Sequence, residues 1–143
     1  MTALAVTAGS VIGFRPQWAD AADWNKDAFT AKKIDEAITA LFGTGQMTPS
    51  ASVKLKAPAQ AENSAQVQIQ VSTDLPNVEA IAVFVEKNPS PLVAHASFSG
   101  AEGFFSARMK MAQTSDVVAV VKSAGKLYTA KQTVKVTVGG CGG

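Results

Sequence analysis

The sequence predicts an all-β protein: an immunoglobulin-like β-sandwich of about seven strands, preceded by one helix and followed by a flexible Gly-Gly-Cys-Gly-Gly arm. Three observations carry this expectation. Beyond residue 52 apolar residues recur with period 2, turn-forming residues interrupt the runs at short and nearly even intervals, and no helical pattern interleaves them. The Cys…Trp…Cys arrangement of antibody domains is absent, because the chain has a single cysteine.

Residues 3–14, ALAVTAGSVIGF, form an uncharged run too short for a membrane span, which takes about 20 apolar residues. The run fits the apolar region of an export signal, and Ala19-Asp20-Ala21 supplies a small-x-small cleavage pattern. No Lys or Arg precedes it, as expected of a start that has lost a basic leader. We therefore read residues 1–21 as a truncated export signal, 22–138 as the folded domain and 139–143 as the arm. Export implies an oxidising compartment.

Residues 27–42, DAFTAKKIDEAITALF, are expected to form a helix. Ile34, Ala37, Ile38 and Leu41 make an i, i+3, i+4, i+7 stripe, with Lys32, Lys33, Asp35 and Glu36 largely off it. Asn25 or Asp27 is placed to cap its start and Gly43 to end it. Residues 43–52 read as a linker. Strands follow at 53–57, 66–71, 80–87, 94–99, 104–112, 116–122, 127–131 and 134–138, with turns at 74–77, 88–91, 100–103 and 123–125. Two strands break the alternation. Ile81, Val83 and Val85 oppose Ala82 and Phe84, and Val117, Ala119 and Val121 oppose Val118 and Val120. Apolar residues on both faces require a cover for the outer one, either the N-terminal helix or a partner subunit.

The composition narrows the function. Thirteen Lys plus Arg against eleven Asp plus Glu give a net +2, too balanced and too scattered for a nucleic-acid footprint. One Cys and one His exclude an intrachain disulfide and leave no Cys/His metal set, so neither a metal nor another cofactor is expected. Cys-x-x-Cys-His and Gly-x-Ser-x-Gly motifs are absent. The chain is not expected to be an enzyme.

The chemistry falls on Cys141, bracketed by Gly139, Gly140, Gly142 and Gly143. Glycine gives such a segment the most backbone freedom, and three extended residues past Val138 carry the thiol up to ~10 Å beyond the sheet. An ordinary thiol ionises near pH ~8.5, and the nearest cation in sequence is Lys135. A cysteine enzyme needs an adjacent base or cation and a preorganised pocket. This arm suits a carrier whose thiol is activated inside partner enzymes. An exposed thiol also permits a disulfide-linked homodimer through Cys141.

The ending Val136-Thr-Val-Gly-Gly-Cys-Gly-Gly closely resembles the SoxY family of bacterial thiosulfate oxidation. The likeness extends through Trp24–Phe29, Val85–Leu92, Gln113–Ser115 and Val120–Tyr128. The resemblance implies an immunoglobulin-like periplasmic protein that pairs with SoxZ and carries sulfur intermediates covalently on Cys141. It implies that the haem enzyme SoxXA joins thiosulfate oxidatively to the thiol and that SoxB hydrolyses off sulfate. Where present, SoxCD oxidises the remaining sulfur. SoxY precursors typically carry a twin-arginine signal, and this sequence lacks one.

Two other classes compete. A carboxyl-terminal Gly142-Gly143 also suits a thiocarboxylate-type sulfur carrier, although such proteins are shorter and have no use for Cys141. An exported structural domain would use the cysteine for an intermolecular disulfide. His95 reads as structural, and Met109 and Met111 as core. Arg108, Lys110, Lys131 and Lys135 read as ordinary surface charge, with steering of anionic adducts or acidic partners as the functional alternative.

Overall fold

A computed structural model describes residues 25–137, which lie within the expected folded domain. The expected export segment 1–21 and the arm residues Gly139, Gly140, Cys141, Gly142 and Gly143 fall outside the described residues. The order is α1 (Lys26–Thr30), α2 (Ile34–Phe42), β1 (Thr48–Pro49), β2 (Val53–Lys56), β3 (Gln60–Ala61), β4 (Val67–Thr73), β5 (Val78–Val85), β6 (Leu92–Ser97), β7 (Phe104–Met109), β8 (Ser115–Ser123) and β9 (Lys126–Val136). A large sheet runs β1-β9-β8-β5-β6, with β3 also paired to β9, and a smaller sheet runs β2-β4-β7. The immunoglobulin-like sandwich expected from the alternation is what forms, with seven strands of four residues or more.

The inner faces of the two sheets make the main core. Val67, Ile69 and Val71 of the small sheet meet Ile81, Val83, Val85, Val117, Ala119 and Val121 of the large one. Met109 and Met111 are buried there, as expected. The outer face of the large sheet carries a second cluster, in which Ala82, Phe84, Leu92, Val118, Val120 and Leu127 pack under Ala28, Ala37 and Ile38. The helices, rather than a partner subunit, cover these positions: Phe84 and Val120 have no exposed surface.

The single helix expected over 27–42 is two. Ala31 and Lys33 take extended ψ values of 143° and 145° and break it. The reason is geometric: carried backwards, the Ile34/Ala37/Ile38/Leu41 stripe reaches Thr30 and Asp27, leaving Ala28 and Phe29 off it. The break lets Ala28 join the same apolar layer. Asn25 fixes the arrangement, since its Oδ1 accepts from Ala28 N at 3.0 Å and its Nδ2 donates to Ala40 O at 2.7 Å. Gly43 ends α2 at φ +76°, as its position suggested.

The two runs expected at 127–131 and 134–138 are one strand, β9, described as far as Val136. Gln132 interrupts the apolar alternation because its side chain donates to Ala57 O at 2.7 Å, which satisfies an amide at a position where the pattern calls for an aliphatic residue. Strands β1 and β3 have no counterpart in the periodicity; each is a two-residue parallel pairing on the same edge of β9.

Phe84→Ala is expected to lower unfolding free energy by about 3–5 kcal/mol, from lost transfer and a cavity between sheet and helices, measured by urea denaturation. A second expectation concerns His95, whose ring meets Phe42 edge-on at 6.4 Å and whose pKa burial lowers from 6.5. A depressed histidine favours the fold in its neutral form, so this contribution is intact above pH 6.5 and is lost as pH falls through the lower folded value. Wild-type Tm should drop on acidification from pH 6.5 down through that lower value by more than the Tm of His95→Gln.

Candidate functional site

The described chain ends at the root of the arm, and its geometry there is closely determined. On one edge of β9, Lys135 N donates to Ala59 O at 2.9 Å and Thr137 N to Ala61 O at 3.3 Å. On the other edge β8 begins only at Ser115, so its backbone does not reach Val136. The Thr114 hydroxyl replaces it: Oγ1 accepts from Val136 N at 2.9 Å and lies 3.5 Å from Val136 O, to which it donates. A side chain thus continues the ladder by one residue, and the chain is held on both edges up to the last two described residues.

Neighbouring loops join the same platform. Buried Ser115 accepts from Lys87 N at 3.0 Å and donates to Asp116 O at 3.1 Å. Gln113 Nε2 donates to Lys87 O at 3.5 Å. Asn88 donates to Lys110 O at 2.8 Å and accepts from Ala112 N at 2.9 Å, which ties the turn after β5 to the segment after β7. The loops at 86–91 and 113–115, two stretches singled out in the sequence, therefore meet beside the arm's root. Asn88, Thr114 and Ser115 do not stand out individually in the sequence, because each bonds a residue more than 20 positions away.

Cys141 lies four residues beyond Thr137, a reach of at most about 14 Å. A hollow of about 600 Å³ is lined by Ser72, Asp74, Asn77, Glu102 and Phe104 at the opposite end of the sandwich. Strand β9 separates the two ends, and its ten residue steps span roughly 33 Å. The arm cannot reach that hollow.

The four cations named from sequence do not converge. Arg108 belongs to the outward face of β7, and exposed Lys110 follows that strand. Lys131 and Lys135 are exposed on β9, in the other sheet. Lys131 is the one cation in an ion pair among the described residues, 3.5 Å from Asp116. The Thr133 hydroxyl first, and then the charges of Lys131 and Lys87, hold the Asp116 carboxyl below its ordinary value. His95 on β6 is exposed, with its ring edge-on to Phe42 of α2. Among the described residues no three of His, Cys, Asp and Glu gather as a metal-ligand set, and no helix is long and apolar enough to cross a membrane.

Comparison with known proteins gives a consistent result. Residues 38–141 match the family model described as "Sulfur oxidation protein SoxY". The chain is similar to the solved sulfur carrier protein SoxY from Chlorobium limicola f thiosulfatophilum, at 41% identity and a TM-score of 0.68, covering 74% of this chain and 97% of that one. An engineered protein (16% identity, TM-score 0.44, 62% of this chain and 21% of that one) and a chain from a structure of T cell specificity and activation by the bacterial superantigen toxic shock syndrome toxin-1 (10%, 0.42, 59% and 99%) are more distant. No curated protein sequence matches.

Thr114→Val should leave Val136 N without its partner, cost about 1 kcal/mol of stability, and speed amide exchange at Val136 and Thr137. Equal exchange in both proteins would show that the hydroxyl does not hold the root.

Proposed function

The chain belongs to the SoxY family of sulfur oxidation proteins, and on that premise we propose that it is a non-enzymatic sulfur carrier of thiosulfate oxidation, holding intermediates covalently on Cys141. The observation that carries this reading is the fixed root at Thr137, which holds the chain four residues before the thiol. On this reading the chemistry of the thiol is supplied by other proteins. Gly139 and Gly140 give the arm its freedom, and Gly142 and Gly143 let the tip enter a narrow site.

The chemistry follows from the thiol. Joining thiosulfate to Cys141 makes one S–S bond and releases one proton and two electrons, which the haem enzyme SoxXA accepts. Hydrolysis by SoxB then breaks the bond to the terminal sulfone and frees sulfate, leaving sulfur on the cysteine, which SoxCD oxidises where it is present. SoxZ is the heterodimer partner, and the site of action is the periplasm.

Intact-mass analysis and C-terminal peptide mapping of protein from cells grown on thiosulfate test this directly. Sulfur or sulfonate increments on Cys141 that reductant removes are the expected result, and Cys141→Ser should abolish thiosulfate oxidation in a reconstituted system while leaving the fold and SoxZ pairing intact. Sulfur on the terminal carboxyl group, or turnover by the Ser variant, would sink the proposal.

A further inference from the structure

The outer face of the small sheet is covered by no described element. Its register places Lys54 beside Ser72 and Phe104, then Lys56 beside Gln70 and Ser106, then Gln68 beside Arg108. Strands β2, β4 and β7 contain no Asp or Glu; the carboxylates of the described residues lie in the helices, the large sheet and the loops. Lys54, Lys56 and Arg108 are exposed and have no ion-pair partner among the described residues. A hollow of about 360 Å³ opens on this face between Lys56, Pro58, Gln68 and Gln70. At one end of the face stands Phe104, the one large hydrophobic residue that is exposed (55%) among the described residues.

Neither feature decides anything alone, since single exposed aromatics and scattered lysines are ordinary. Their combination is specific. With strands about 4.8 Å apart, three unneutralised cations and two glutamine amides occupy a patch about 10 Å wide, and an aromatic side chain projects from its border. Protein interfaces are built from such an aromatic anchor with charges set for complementarity. A nucleic acid fits less well, because such sites neutralise about 6–10 phosphates and this face offers three strand cations.

We propose that this face is a docking surface for a carboxylate-bearing protein, with acidic groups opposite Lys54, Lys56 and Arg108 and an apolar hollow for Phe104. The inference rests on the carrier reading and assigns where a partner sits. The Arg108 end adjoins the arm's root, because the Lys110 carbonyl that follows it is bonded by Asn88. A protein seated here has the arm beside it.

The test uses the full chain and each purified protein named above, SoxZ, SoxXA, SoxB and SoxCD, with affinity measured against ionic strength. Lys54→Glu combined with Arg108→Glu, and separately Phe104→Ala, should weaken at least one of these complexes by about tenfold or more. Lys32→Glu with Lys33→Glu, on the helix layer, should change it less than about twofold. Wild-type binding should weaken with salt. Unchanged affinities in both face variants would overturn the docking surface, while sulfur on Cys141 would still uphold the carrier reading. Binding of none of the four proteins would overturn both. Lysine acylation of the free chain separates other occupants: protection of Lys54 and Lys56 without any partner would mean that a second copy, or residues 1–24, covers the face. Loss of heparin binding alone in the variants would assign the face to a polyanion, and either result defeats the proposal.

Discussion

Strands β5 and β8 are apolar on both faces, and the rest of the molecule is arranged to satisfy them. A residue such as Phe84 cannot point to water from the middle of a sheet without forfeiting about 1.5–3 kcal/mol of burial. The small sheet covers one face and the helix pair the other, so the fold has three layers instead of the usual two of a sandwich. This also accounts for the break between α1 and α2, since a straight helix would have left Ala28 and Phe29 turned away from the layer they complete. With β5 and β8 central, β9 falls beside β8, and β1 and β3 take up its other edge.

Much of this is legible in the residues. Val67, Ile69 and Val71 alternate with glutamines and form a half-buried strand in the register the pattern implies. The double-sided strands announce a missing layer, although the sequence alone leaves its identity open between helix and partner. The illegible parts depend on distant residues. Gln132 reads as a gap between two strands because its acceptor, Ala57 O, lies 75 positions back. Strands β1 and β3 are too short to have a period, and exist only because β9 offers them an edge. Thr114 is one hydroxyl among several in a turn until β9 comes to lie beside it.

The candidate site divides the same way. Cys141 and its glycines stand out by composition, because a lone thiol set among residues without side chains contributes nothing to a packed core. The platform that holds the root does not stand out, being made of short polar side chains that bond across 22 to 28 positions. The cations named from the sequence separate onto two sheets, and those of the small sheet gain meaning only beside Lys54, Lys56 and Phe104, which the strand register brings to the same face.

The anchoring of Thr137 on Ala61 O has a consequence for handover kinetics in the proposed carrier. A tether of four residues from a fixed anchor confines the thiol to a small volume, so a docked enzyme meets it at an effective concentration in the millimolar range or above. Capture then behaves as an intramolecular step whose rate does not depend on how tightly the two proteins hold each other. Docking can be weak and short-lived, and one carrier can visit a series of enzymes in turn without release limiting the cycle.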